Sequence, residues 1–562
     1  MSKITIYQVL PRLFGNYNET YKINGDMAEN GCGKFNSFTP KALNEIKKLG
    51  ITHIWYTGII EHATQTDYSA YGIQKDLNAV VKGKAGSPYA IKDYYDVDPD
   101  LADNVTERMV EFENLVERTH KADMKVIIDF VPNHVARVYK SDAAPAGTVD
   151  LGQNDCSDWH FSPLNNFYYL PGQEFKPAFD IDGYKEFPAK ATGNDCFSPN
   201  PGVNDWYETV KLNYGVNYTE GMQKQFDPIP DTWLKMRDIL LFWASKNIDG
   251  FRCDMAEMVP VEFWGWVIPA VKAQYPEVIF IAEVYNPAEY RNYIFNGKFD
   301  YLYDKVGMYD TLRNVTSKNY PVSDITQAWQ AVSDIQDHML QFLENHDEQR
   351  IASGFFSGDG KYAIPAMIVA ATLTRAPVMI YFGQELNEKA MENEGFSGLD
   401  GRTTIFDYWA VTTVQQWANG GSFDGKLLTK EQKQLRDFYK KLLNLTLTEK
   451  AITHGQMFDI EYANLYNPHF KSHEQFAYLR QYEDEILLVV LNFDDKQLYT
   501  EIVFPDELFE FLKIQKNQTF SCTDLLGMYK NLKDFTFGTD TRFSVDMKPW
   551  TGMILKLQCV DN

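Results

Sequence analysis

The chain has 562 residues, enough for several domains, and its 44% hydrophobic and 23% charged residues are an ordinary globular balance that excludes disorder. A net charge of −23 repels phosphate and argues against nucleic acid as a partner. Six cysteines without a CxxC spacing exclude a disulfide scaffold and a zinc ribbon, and no apolar run reaches the roughly 18 residues of a transmembrane span.

Met1-Ser2-Lys3 leads straight into the first apolar run and lacks signal-peptide architecture. This points to the cytoplasm, or to a secreted or periplasmic chain whose leader has been removed. Eight apolar runs then follow in order: residues 4–10, 51–60, 125–131, 250–254, 278–285, 301–304, 339–345 and 377–382. Most are continuous rather than alternating, as parallel strands buried on both faces require. The sixth is the weakest.

Helical patterns fall between the runs. Thr39-Pro40 supplies an N-cap and a first-turn proline, with Leu43, Ile46 and Leu49 on one face and Gly50 as the stop. Residues 104–125, 233–246 and 261–274 repeat that logic, and Thr429 with Gln432 forms a capping box ahead of Leu435, Phe438 and Leu442. Eight strands alternating with helices predict an α/β fold, a (β/α)8 TIM barrel.

Two stretches break the alternation. Residues 134–228 are rich in Asn, Asp, Gly, Pro and aromatics, too long for an ordinary loop, and read as a subdomain inserted after strand 3. Cys156 and Cys196 lie within it and could pair. From about residue 451 the helices give way to short strands, which predicts an antiparallel β-sandwich. The domains expected are therefore 1–133 and 229–450 for the barrel, 134–228 for the insert and 451–562 for the C-terminal part.

A barrel carries its chemistry at the C-terminal ends of its strands. Strand 3 ends in Asp129-Phe130-Val131-Pro132-Asn133-His134, strand 4 in Gly250-Phe251-Arg252-Cys253-Asp254, strand 5 in Ile281-Ala282-Glu283, and strand 7 in Glu344-Asn345-His346-Asp347. Carboxylates at buried strand ends are costly unless paired or used, and four converging sets outweigh isolated salt bridges. Clustered carboxylates with Arg and His suit glycoside cleavage or a hard-metal site. No phosphate-binding glycine loop lies near the last strands and no Lys ends a strand, so glycoside chemistry is favoured.

These four segments, in this order, resemble the conserved regions of the α-amylase superfamily, glycoside hydrolase family 13: D-x-V-x-N-H at residues 129–134, G-x-R-x-D at 250–254, Glu283 with Val284, and F-x-x-N-H-D at 342–347. Tyr7-Gln8-Val9 and residues 94–99 also match family habits, and the insert lies where the family carries domain B. The resemblance implies Asp254 as nucleophile, Glu283 as general acid/base and Asp347 as the group that holds sugar hydroxyls. It implies that Arg252 orients Asp254, that His134 and His346 bind hydroxyls, that Tyr89 stacks on the same sugar, and that Asp129 is structural.

The resemblance also implies a structural calcium between barrel and domain B, with Asn133 and Asn213 as ligands. Here the sequence departs from the family: Met255-Ala256-Glu257-Met258 stands where many amylases carry Lys and His, which leaves the metal and the acceptor-side contacts open. No organic cofactor is implied. The expected activity is hydrolysis, with retention, of α-1,4-glucosidic bonds in starch, glycogen or maltooligosaccharides. A transglycosylase of the same mechanism and a non-catalytic carbohydrate-binding protein are the alternatives.

Domain-B aromatics Trp159, Phe167, Tyr168, Tyr169, Trp206 and Tyr207 could line the cleft. Glu257 could face the leaving group or be a solvated loop charge, and Gly383-Gln384-Glu385 sits at the rim.

Overall fold

The computed structural model describes residues 3–530, 532–538 and 542–560. All eight apolar runs contain barrel strands: β1 (Thr5–Val9), β2 (His53–Tyr56), β3 (Lys125–Phe130), β4 (Gly250–Cys253), β5 (Ile279–Ala282), β6 (Tyr301–Tyr303), β7 (Met339–Phe342) and β8 (Val378–Tyr381). Every neighbouring pair is parallel, and β1 pairs with both β2 and β8, so the sheet closes.

The strands lack alternation because both of their faces are buried. Ile6, Trp55, Ile127, Ile281, Tyr303, Leu340, Phe342 and Met379 fill the barrel interior. Tyr7, Ile54, Ile128, Phe251, Phe280 and Ile380 point the other way, into the shell of helices. The predicted helix starts are made as the sequence dictates. The Thr39 hydroxyl accepts from the Ala42 amide ahead of helix Pro40–Lys47, and Gly50 follows in the left-handed region at φ +94. Thr429 and Gln432 make both capping-box bonds of helix Lys430–Thr448.

The insert after β3 is built from small antiparallel ribbons. His134–Ala136 pairs with Thr209–Lys211, Tyr169–Leu170 with Ala189–Lys190, and Val216–Asn217 with Gln223–Lys224. The pairing considered for Cys156 and Cys196 is not made: both are free thiols.

The C-terminal part carries β9 (Gln456–Asp459), β10 (Gln475–Tyr482), β11 (Glu485–Asn492), β12 (Leu498–Val503), β13 (Gln518–Asp524), β14 (Phe535–Phe537), β15 (Arg542–Met547) and β16 (Thr551–Cys559). A six-stranded antiparallel sheet, ordered β9-β10-β11-β16-β13-β14, packs with the β12-β15 pair over one core that includes Leu488, Val490, Ile502, Phe543 and Leu555. Its junction with the barrel is tight. A Cβ on Gly552 would fall 2.4 Å from Leu491 Cδ2 and 2.7 Å from Ile368 Cδ1 of barrel helix Ile364–Thr372. The buried Arg480 guanidinium donates to the carbonyls of Leu373, Ala451, Ile452 and Gly455, with no carboxylate among these acceptors. Among the described residues, no helix is long and apolar enough to cross a membrane.

Candidate active site

The period of two that fills the barrel also builds its mouth. Ile127 faces inward, so Asp129 does too; Ile281 faces inward, so Glu283 does too. Arg252 lies in register with Asp129 on one side and Ile281 on the other, and Asp254 follows two residues later. The sequence thus delivers three carboxylates and a guanidinium to one ring at the C-terminal end of the strands.

Arg252 is the centre of that ring. Its Nη1 donates to Asp254 Oδ1 at 2.9 Å and its Nε to the Tyr303 hydroxyl at 3.1 Å. Nη2 lies 2.9 Å from Glu283 Oε2, an ion-pair contact without hydrogen-bond alignment. Asp129 Oδ1 is 3.5 Å from Nη1, and the rings of Trp55, Tyr89 and Tyr303 surround the guanidinium at 5.3 to 5.5 Å. A buried cation held by three carboxylates and three aromatic faces is charge-compensated, and its planar fork reaches two carboxylates at once.

Each carboxylate has a distinct environment. Asp254 Oδ2 is buried and has no hydrogen-bond partner among the described residues. Burial, reinforced by the charges of Glu283 and Asp129, pushes the Asp254 carboxyl up, and Arg252 opposes the shift. Glu283 is fully engaged: Oε2 accepts from the Met255 amide at 2.8 Å and Oε1 from the Tyr285 hydroxyl at 2.6 Å. Asp129 sits beneath, receiving Trp55 Nε1 at 3.0 Å and the Gly58 amide at 3.3 Å, and burial pushes it up to about 6. Asp347 is part-exposed at the mouth, its amide bound to Asn345 Oδ1 at 2.8 Å.

The two histidines are neutral. Burial holds both at about 3, assisted by the charge of Arg252 at His346 and of Lys211 at His134. The Gln8 amide meets His346 Nδ1 at 2.8 Å, which assigns the ring proton to Nε2. That nitrogen faces the Tyr89 hydroxyl at 2.5 Å and Asp347 Oδ2 at 3.1 Å. The Tyr89 ring stacks on the imidazole at 5.2 Å.

A cavity of about 380 Å³ opens over this ring. Its lining includes Tyr89, His134, Asp254, Glu283 and Asp347, while Arg252 and His346 lie behind the wall. The structure therefore brings Asp254, Glu283, Asp347, Tyr89 and His134 onto one cavity, with Arg252 and His346 directly behind them. It adds Lys82, Glu208, Met255, Tyr285 and Arg402 to the lining. Lys82 and Glu208 form an ion pair at 3.0 Å on one side.

Gln8, Trp55 and Tyr303, which support the ring from below, follow from counting in twos along β1, β2 and β6. Lys82 and Arg402 sit on loops, where no periodicity points to them.

Other candidates have structural duties. Of the domain-B aromatics only Trp206 reaches the cavity; Phe167, Tyr168, Tyr169 and Tyr207 are buried within the insert and Trp159 is exposed. Glu257 faces neither a leaving group nor solvent alone, because its Oε2 accepts from the amides of Tyr285 and Asn286. Glu385 accepts from the Tyr7 hydroxyl away from the cavity.

The residues expected to hold calcium do not fit a calcium ion. Asn213 turns Oδ1 to the Gly215 amide at 2.9 Å and Nδ2 to the carbonyls of Ser162 and Asn165. Asn133 Oδ1 receives the ammonium of Lys211 at 2.6 Å. A cation carried by the chain meets the oxygen that a hard metal would need. Among the described residues, no group of three or more His, Cys, Asp or Glu side chains could hold a metal.

A ring of carboxylates around one arginine, at the C-terminal mouth of a (β/α)8 barrel, is the arrangement of a carbohydrate-cleaving enzyme. The comparisons with known proteins agree. The family model for the alpha amylase catalytic domain matches residues 8–442. Alpha-amylase 3 of Dictyoglomus thermophilum is 24% identical over 470 residues, covering 79% of this chain and 82% of that protein. A cyclomaltodextrinase of Thermoanaerobacter pseudethanolicus is 23% identical over 520 residues, covering 90% and 72%. The α-amylase of Geobacillus thermoleovorans, solved with acarbose, superposes with a TM-score of 0.64 at 18% identity, covering 99% of this chain and 98% of that one. The chain belongs to the α-amylase superfamily, and it is a glycoside hydrolase.

Proposed function

We propose that the protein hydrolyses α-1,4-glucosidic bonds in starch, glycogen or maltooligosaccharides with retention of anomeric configuration. The observation that carries this reading is Arg252 reaching both Asp254 and Glu283, with Asp347 on the same cavity. The named activities of the relatives, α-amylase and cyclomaltodextrinase, support the substrate class.

In this reading Asp254 attacks the anomeric carbon as the carboxylate through its unpartnered Oδ2, and the Arg252 guanidinium opposes the burial that favours its protonated form. Glu283 gives its proton to the departing glycosidic oxygen, and a covalent glycosyl-enzyme forms. Glu283 then takes a proton from water, which attacks the same carbon and frees Asp254. Tyr89 stacks on the sugar, neutral His134 and Asp347 bind its hydroxyls, and His346, behind the wall, holds the Tyr89 hydroxyl and Asp347 in place. The hydrogen bonds to the sugar tighten as the ring flattens towards the oxocarbenium-like state.

The test is a time course on a defined linear maltooligosaccharide, with the anomeric form of fresh product read by NMR. Shorter sugars released as the α-anomer are expected. Release of the β-anomer overturns retention, and accumulation of products longer than the substrate overturns hydrolysis in favour of glucosyl transfer. Asp254→Asn should remain folded by circular dichroism and lose at least about a thousandfold in turnover; an active variant removes Asp254 from the nucleophile's role.

A further inference from the structure

We propose that the ammonium of Lys211 serves as a built-in cation at the junction of barrel and insert, so that the protein holds this junction without calcium. Lys211 is only 2% exposed, which demands full compensation for its charge. Its Nζ donates to Asn133 Oδ1 at 2.6 Å and pairs with Asp195 Oδ1 at 2.6 Å. The carbonyl of Met258 lies 3.5 Å away.

An ammonium has three N–H donors, and three oxygens meet it here: an amide, a carboxylate and a backbone carbonyl. That is the donor chemistry of a hard divalent ion, supplied instead to a covalently tethered monovalent one. The Tyr218 ring, 5.7 Å away, offers its face to the same charge.

The three oxygens come from three separate places. Asn133 lies in the segment just after β3, Asp195 belongs to the insert, and Met258 lies in the loop after β4. Lys211 itself is on the ribbon that pairs with His134, in direct register. The arrangement is locked on both sides: the Leu212 amide donates to the Asn133 carbonyl at 3.0 Å, and Asn133 Nδ2 to the Gly193 carbonyl at 2.8 Å. Lys211 therefore fixes the segment from which His134 enters the cavity, as a positioning residue that need not touch sugar.

The experiment is melting of the full chain by calorimetry after exhaustive dialysis against EDTA, and again with excess calcium, alongside elemental analysis of the purified protein. The expected result is one melting temperature under both conditions and calcium far below one ion per chain. Stoichiometric calcium, or a melting temperature that falls with chelator and returns with calcium, overturns the proposal. Lys211→Met keeps the stem and removes the charge. It should melt several degrees lower and raise KM more than it lowers kcat, because a positioning contact for a sugar-binding residue is lost. A variant that melts like the wild type also overturns the proposal.

Discussion

The backbone amide of Met255 points at Glu283 Oε2, at 2.8 Å, because Met255 occupies the left-handed region with φ +43. An unbranched L-residue tolerates this conformation at a modest cost, and such strain at an active-site turn is retained where it aims a group. The residue after the proposed nucleophile thus orients the proposed acid/base.

Substitution at this position should follow backbone preference more than side-chain size. Met255→Gly accepts φ +43 freely and is expected to keep kcat within a few-fold of wild type. Met255→Val disfavours it, withdraws the amide from Glu283 and should lower kcat about 10- to 100-fold. Steady-state kinetics on one maltooligosaccharide checks the order; a valine variant faster than the glycine variant contradicts it.

Arg252→Lys is a severe change despite conserving charge. A single ammonium cannot reach Asp254, Glu283 and Tyr303 in the plane that the guanidinium spans. One or more buried carboxylates are then left without compensation. Turnover should fall at least about 100-fold with a lowered melting temperature, while the far-ultraviolet spectrum is retained. Near-normal kcat would mean that the fork is dispensable.

Glu61 offers a stability switch remote from the chemistry. It is 1% exposed, stands opposite Asp93, and its Oε2 has no hydrogen-bond partner among the described residues. Burial, with Asp93 and Asp96 adding repulsion, pushes its carboxyl up to about 9. The folded state therefore binds this proton more tightly than the unfolded chain does. The resulting stabilisation is complete below about pH 4, the ordinary carboxylate value, and is lost progressively as pH rises to about 9. Glu61→Gln removes that dependence. Its advantage over wild type should grow across this window, to about 2 kcal/mol or more by pH 7 relative to pH 4. Parallel denaturant titrations at several pH values decide the matter, and a constant difference refutes it.

What was legible in the sequence follows from which forces act locally. The barrel strands could be read because burial on both faces leaves continuous apolar runs, and the helix starts because Thr39, Thr429 and Gln432 act within their own turn. β6 was faint because only three residues, Tyr301–Tyr303, pair in it. The ring of Asp129, Arg252, Asp254 and Glu283 was visible because strand ends and a period of two suffice to place it.

Lys82 and Arg402 were not legible, since their loops are positioned by the whole fold. Lys211 was hidden for a related reason. Its partner Asn133 lies 78 residues away, and nothing in a lone lysine distinguishes a trapped cation from a solvated one.

The four carbonyls gathered by Arg480 have a consequence for how the molecule comes apart. A guanidinium whose hydrogen bonds all go to neutral backbone groups makes no direct ion pair to offset its burial; burial lowers it to about 10, against the more distant charge of Asp337. Prising the C-terminal sheets from the barrel would break the Arg480 bond to the Leu373 carbonyl, bare the flank of Ile368 and uncover a buried charge at one stroke. The two parts should therefore lose structure in a single cooperative event, and a proteolytic cut near residue 450 should yield two insoluble fragments in place of a free-standing barrel.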